Sequence, residues 1–195
     1  MSYHLYHTEG IVLGSGASGV SNKYYYLFTK DLGLTMAFAQ SVREAKSKLR
    51  GNLQDFSHIN VELIRGRDTW RIVSAEEENK FGNFLLPKSK LNIIIRISDL
   101  LKRFLHGEEK NEKLFDLLRD GFTYVSKNSF DEEKLKDVEL LLVAKVLHSL
   151  GYWGGNGETL FLLKSPIGEE SINKISGIRP LILKEVNRSL SESHL

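Results

Sequence analysis

Gly14-Ser15-Gly16-Ala17-Ser18-Gly19 spells G-x-G-x-x-G, the spacing with which a glycine-rich turn brings backbone amides against a pyrophosphate. That chemistry needs a helix opening at the third glycine, because its first N–H groups hold the phosphates. Here Val20-Ser21-Asn22-Lys23-Tyr24-Tyr25-Tyr26 follows, an aromatic run suited to a strand. The loop is therefore read as a hairpin connection whose glycines permit positive φ, and no dinucleotide cofactor is expected. The histidines are His4, His7, His58, His106, His148 and His194, with His4-x-x-His7 the one close pair. No carboxylate stands beside them at metal-ligand spacing, so they are read as surface or strand-end residues. Cysteine is absent, which excludes a thiol nucleophile, a disulfide framework and a Cys-based zinc site. No G-x-S-x-G, P-loop, EF-hand or kinase pattern occurs. The acidic pairs Glu108-Glu109 and Glu132-Glu133 fall at helix edges, where negative charge suits the helix dipole. The reading is a protein that is not an enzyme and has no metal site.

The residues that point to a partner are basic. Residues 1–75 contain nine Lys/Arg and six Asp/Glu, whereas residues 76–195 contain eighteen and nineteen. The excess gathers in Arg43, Lys46, Lys48, Arg50, Arg65, Arg67 and Arg71. The first four lie in one connecting segment, and Arg65 and Arg67 flank a turn. Side chains on a loop and a hairpin tip of one small barrel can converge on phosphates and release their counterions. Tyr24, Tyr25, Tyr26, Phe28, Phe38 and Trp70 lie on strands, and an exposed one would offer a base a stacking platform.

These residues need a scaffold, and the chain supplies two kinds. Its 195 residues, 41% hydrophobic and 27% charged, have an ordinary globular composition and enough length to bury a core without staples. No apolar run approaches a membrane span and the N-terminus has no signal-peptide pattern, so a cytoplasmic protein with no membrane contact is expected. Residues 10–13, 24–29, 33–39, 59–64 and 70–73 read as five short strands, the content of a small barrel. Leu34, Met36 and Phe38 share one face, and Ile59, Val61 and Leu63 alternate with polar neighbours. At Ser74-Ala75-Glu76-Glu77 a capping-box pattern predicts the first helix. Helical spacing then links Leu91 to Leu105, Leu114 to Val125, and Leu135 to Leu147 after a second capping box at Ser129 and Glu132. Gly154 to Gly157 reads as a turn, Glu158 to Lys164 as a turn or short hairpin, and Leu181 to Leu190 as a last helix. The fold class is α+β: a five-stranded barrel of OB-fold size over 1–76, then an α-helical bundle over 77–195.

The order of certain residues in the first part resembles the N-terminal region of the bacterial RecO recombination-mediator family. The matching pieces are Gly10-Ile11-Val12-Leu13, Leu27-Phe28-Thr29 with Gly33-Leu34, Ala39 and Arg43, and Ser47-Lys48-Leu49-Arg50-Gly51-x-Leu53-Gln54-x-Phe56-Ser57. Glu62-Leu63, Arg65-Gly66-Arg67 and Ser74-Ala75-Glu76 follow in register. Leu114-Phe115-Asp116-Leu117-Leu118 and Leu150-Gly151-Tyr152 are similar to later steps of the family. The resemblance implies an OB-fold joined to a helical domain. It implies binding of single- and double-stranded DNA, strand annealing, and loading of RecA with RecR on DNA coated by single-stranded-DNA-binding protein (SSB), whose acidic C-terminal tail the family contacts. Many members carry a Cys zinc element after the Leu-Gly-Tyr step. Here Trp153-Gly154-Gly155-Asn156-Gly157 stands in its place, and no zinc is implied. The first hairpin of the family usually carries acidic residues where this chain has Gly16-Ala17-Ser18-Gly19. A second reading is an adaptor that binds partner proteins with little DNA contact, with Lys102, Arg103 and Lys145 as candidates to rim a groove for an acidic tail.

Overall fold

A computed structural model describes residues 4–67, 69–82, 85–154 and 157–192. His194, Asp68 of the predicted turn, and Gly155 and Asn156 lie outside the described residues. Five strands, β1 (Leu5–Ser18), β2 (Asn22–Thr29), β3 (Gly33–Ala39), β4 (Ser57–Arg65) and β5 (Trp70–Lys80), close into a barrel in the order β1-β2-β3-β5-β4. All pairings are antiparallel except β3 with β5. This is the five-stranded OB-fold arrangement. A short helix, α1 (Leu49–Asn52), sits in the β3–β4 connector, and Leu49 and Leu53 close one end of the barrel core. Tyr6, Leu32 and Trp70 also pack on that core.

Period-2 alternation sets what the barrel buries. Tyr25, Leu27, Ile59, Val61, Leu63, Trp70 and Ile72 point inward. On β3 the interior face belongs to Thr35, Ala37 and Ala39, while Met36 is 48% exposed. The sequence reading placed Leu34, Met36 and Phe38 on one face, and that face is the outer one. A tightly curved barrel has little room beside Tyr25 and Trp70, so small residues fill it. The strand Ile11-Val12-Leu13 is buried on both faces, with Val12 in the barrel and Ile11 and Leu13 against the helices.

The helix start expected at the Ser74–Glu77 capping box does not form, because β5 continues through Lys80 and the next helix opens at Lys88. Pairing of Glu76 with Asn60 and of Glu77 with Ile59 extends the β4–β5 ladder and overrides the local capping signal. The helices are α2 (Lys88–Phe104), α3 (Glu112–Lys127), α4 (Glu132–Ser149), α5 (Gly157–Lys164), α6 (Glu169–Gly177) and α7 (Arg179–Glu192). The N-cap of α4 is Asp131, which accepts from the Lys134 N–H at 2.8 Å, in place of the predicted Ser129. Residues 158–164 belong to a helix, not a hairpin. Its C-terminal carbonyls are held by the buried Lys145 ammonium, which donates to Leu163 O at 2.7 Å and Ser165 O at 2.5 Å.

Beside the barrel's own interior, a second core lies between the outer side of the barrel and the helices. Phe28 and Phe81 from the barrel side pack with Phe115 and Phe122 of α3. Glu9 joins the seam: it accepts from Lys30 Nζ at 2.8 Å and meets His58 Nε2 at 3.1 Å. Lys30 and His58 together hold the Glu9 carboxyl below the usual carboxylate range. The α2–α3 loop closes over the β2–β3 turn. Gly33 there has φ +72°, and a Cβ would lie 2.2 Å from the Glu109 carbonyl oxygen, so only glycine fits.

Candidate nucleic-acid interface

The structure sorts the seven predicted basic residues into three places. Arg43, Lys46, Lys48 and Arg50 are all exposed on the β3–β4 connector. The connector is tied to the β1–β2 turn. The Arg43 N–H donates to Ser21 O at 3.0 Å, and its guanidinium donates to Gly19 O at 3.2 Å. Ser41, at φ 52°, turns the chain there and its N–H donates to Asn22 Oδ1 at 2.8 Å. Arg43 and Arg50 line a cleft of about 400 Å³ together with Lys23, Tyr25, Val42, Leu53 and Gln54. Lys46 and Lys48 do not line it.

Lys23 was absent from the sequence prediction. It sits alone in an aromatic strand, and only the fold brings it to Arg43 and Arg50. Its ammonium donates to Ser15 Oγ at 3.2 Å. No carboxylate lines this cleft among the described residues. Its floor is also uncharged, because burial first and the nearby Asp55 second push the Tyr25 hydroxyl up to about 12.

Arg71 occupies the second place, on the outer face of the barrel. The registers Gly16↔Tyr24, Tyr24↔Phe38 and Phe38↔Arg71 set these residues side by side across β1, β2, β3 and β5. Gly16 lies beneath the Tyr24 ring, where a Cβ would come within 2.2 Å of the ring. This gives the glycine loop a packing reason in place of a phosphate-binding one, and β1 runs through it to Ser18. Of the aromatic candidates, Tyr25, Phe28 and Trp70 are buried. Tyr24, Tyr26 and Phe38 remain partly exposed. Tyr24 and Tyr26 meet edge to face at 5.7 Å, with Lys102 Nζ 5.8 Å from the Tyr26 ring centre.

The third place is the β4–β5 turn. Arg65 donates to Glu108 at 2.6 Å and lies 5.2 Å over the Trp70 ring, while the Trp70 indole N–H donates to the same carboxylate at 2.7 Å. Arg65 is thus engaged by the helical region and is not brought to the connector cations. Arg67 is exposed. Neither it nor Arg43, Lys46, Lys48, Arg50 or Arg71 has a carboxylate within 4.0 Å among the described residues.

The helical region contains a groove of about 720 Å³ between α3, α4 and the α5–α6 segment. Lys113, Lys145, His148 and Lys164 line it with Asp120, Leu117, Leu163 and Ile167. Burial, then the charges of Lys164 and Lys145, lower the His148 pKa. Of the candidate groove residues, Lys145 lies here, whereas Lys102 pairs with Asp99 at 2.8 Å and neither it nor Arg103 lines the groove. No helix among the described residues is long and apolar enough to cross a membrane.

Comparison with known proteins follows the same division. Residues 1–81 match the family described as "Recombination protein O N terminal". A protein named DNA repair protein RecO from Dehalococcoides mccartyi strain CBDB1 is 30% identical over 141 residues, covering 72% of this chain and 56% of that protein. Its namesake in Alkaliphilus metalliredigens is 28% identical over 137 residues, 70% of this chain and 56% of that one. That of Caldanaerobacter subterraneus subsp. tengcongensis is 27% identical over 150 residues, 74% and 58% respectively. The chain thus spans about half the length of the curated relatives it matches. The five-stranded barrel thus coincides with the segment that matches the RecO N-terminal family, and the chain is similar to proteins named DNA repair protein RecO over about seven tenths of its length.

Proposed function

We propose that this protein is a RecO-like mediator of DNA repair and recombination that works by binding and not by bond-breaking chemistry. The barrel holds single- and double-stranded DNA, and the helical region carries partner contacts. The observation that carries the reading is the group of connector cations, Arg43, Lys46, Lys48 and Arg50, which are exposed and face no carboxylate among the described residues. Arg67 and Arg71 extend the surface, and Arg65 contributes only when it leaves Glu108. Cations that hold two strands lower their mutual repulsion and raise their local concentration, which promotes annealing. With RecR, the protein would help load RecA on SSB-coated DNA. Such work suits a cytoplasmic, nucleoid-associated protein.

Four phosphates neutralised on a single strand give a log–log salt slope of roughly −3, a loss of about fifty-fold between 50 and 200 mM salt. The test is fluorescence anisotropy with a labelled single-stranded oligonucleotide at these two salt concentrations. It compares the wild-type protein with the R43A/K46A/K48A/R50A variant. Salt-sensitive binding that the variant weakens supports the reading. A flat salt response, or no binding at low salt, overturns it.

The groove of the helical region favours a second, compatible reading as an adaptor. Exposed Lys113 and Lys164 beside Leu117, Leu163 and Ile167 suit a peptide with acidic and apolar residues, such as the SSB tail. The Lys145 ammonium already donates to the carbonyls of α5 and the residue after it, so it shapes the groove wall. Retained SSB-tail peptide binding in the connector variant, lost in a K113E/K164E variant, would separate this role from DNA binding.

A further inference from the structure

We propose that the cleft between β2 and the connector is a subsite for one unpaired strand, with a backbone phosphate among Lys23, Arg43 and Arg50 and the attached base in the chamber next to it. The proposal rests on the DNA-binding reading above and adds strand selectivity to it.

The first chamber, about 400 Å³, has the size of a small-ligand cleft. Its polar lining is three cations, the Gln54 amide and the neutral Tyr25. Two of the cations are placed in advance by uncharged partners: Arg43 by Gly19 O and Lys23 by Ser15 Oγ, each at 3.2 Å. An arriving phosphate would therefore meet charges that no carboxylate has to release.

A second chamber of about 460 Å³ shares Lys23, Leu53 and Gln54 with the first and continues to Phe56, Lys80, Gly82 and Leu91 of α2. A phosphate is unwelcome there. Asp55 lines the chamber with one carboxylate oxygen buried and unbonded, and Lys80 is already paired with Glu77 at 3.1 Å. Leu53, Phe56 and Leu91 instead offer an apolar wall to the flat face of a base.

Duplex DNA can use neither chamber well. Its phosphates lie on the outside of a rod with a persistence length of about 50 nm, so they do not bend into a concave site, and its bases are paired. A single strand meets both requirements. Lys23 belongs to the barrel strand and not to the connector, so changing it separates this subsite from the general cationic surface.

The experiment measures anisotropy of three labelled probes of equal length: oligo-dT, a duplex, and an abasic single strand. It uses the full chain as wild type, Lys23→Glu and Lys23→Gln, with thermal melts to establish that the variants fold. The expected result is a loss of about tenfold for oligo-dT in Lys23→Glu, a smaller loss in Lys23→Gln, and less than about twofold for the duplex in either. Wild type should prefer oligo-dT to the abasic strand by several-fold. Equal losses for oligo-dT and duplex, or no loss in folded Lys23→Glu, overturn the subsite. Equal wild-type affinity for the abasic strand overturns the base chamber. Absence of wild-type binding to every probe is a different failure, that of the DNA-binding reading itself.

Discussion

In the helical region Arg179 bridges Glu133 and Asp137, each at 2.7 Å, Arg96 grips Glu139, and Lys134 reaches Glu169. On the barrel connector Arg43, Lys46, Lys48 and Arg50 meet no carboxylate among the described residues. The same side chains serve different ends. In the helices opposite charges hold elements of one chain to each other. On the connector, positive charges are left to face solvent or a partner, and Asp55, the carboxylate that lines the adjoining chamber, forms no ion pair with them among the described residues. Lys30 is neutralised by Glu9 within the first 75 residues and Arg65 by Glu108 from the helical region, so neither adds to the unpaired positive charge of the connector.

The shared core gives the largest way to test how separate the two regions are. Phe115 is fully buried and faces both Phe28 and His58. Its replacement by Ala should cost about 3–5 kcal/mol. In a urea titration followed by tyrosine and tryptophan fluorescence and by circular dichroism, both signals should move together. Two separate transitions, with the barrel unchanged, would break the picture of a core shared between barrel and helices. Gly33→Ala should follow at about 1–3 kcal/mol, through φ +72° and the clash with Glu109.

The connector should behave in the opposite sense. The quadruple Ala variant should lose about tenfold or more in single-strand affinity at low salt, with stability within about 0.5 kcal/mol of wild type. A large loss of stability would mean that these charges hold the fold, as the helical ones do.

Acid should reveal the helical network and spare the connector. Lys136 first and Arg179 second hold Glu133 down to about 2 from a normal 4.5. A depressed carboxylate contributes stability that is complete above about pH 4.5 and disappears as pH falls to about 2. Denaturation midpoints across that range should fall less steeply for Glu133→Gln than for wild type. A parallel course would remove the network from the account. The smallest effect is expected for Arg65→Ala, whose partner Glu108 is partly exposed: within about 1 kcal/mol of stability and less than about twofold in DNA affinity. A tenfold loss of affinity would place Arg65 with the connector after all.

Much of the helical region could be read from spacing. Leu114, Phe115, Leu118, Phe122 and Val125 are the buried face of α3, because a helix repeats its contacts every three to four residues whatever lies opposite. Barrel strands were legible as strands but not always as faces. Alternation shows that Leu34, Met36 and Phe38 agree with one another, yet which side is inside depends on curvature and on the helices that cover the other side. The capping pattern at Ser74 and Glu77 was a real local preference, and pairing with β4 outweighed it. The segment 158–164 lacked a clear period, and its helix relies on a lysine thirteen or more residues earlier in the chain.

The sequence by itself determined the strand-then-helix order, the exclusion of cysteine chemistry, and a basic segment between two strands. These follow from side-chain type and from periods that span a few neighbouring residues. Tertiary structure alone decided which charges stay unpaired. It set Glu108 on Arg65 from 43 residues away, and it set Lys23 against Arg43 and Arg50. Charge pairing depends on distances of a few ångströms between residues remote in sequence, and only the closed barrel with helices packed on it defines those distances.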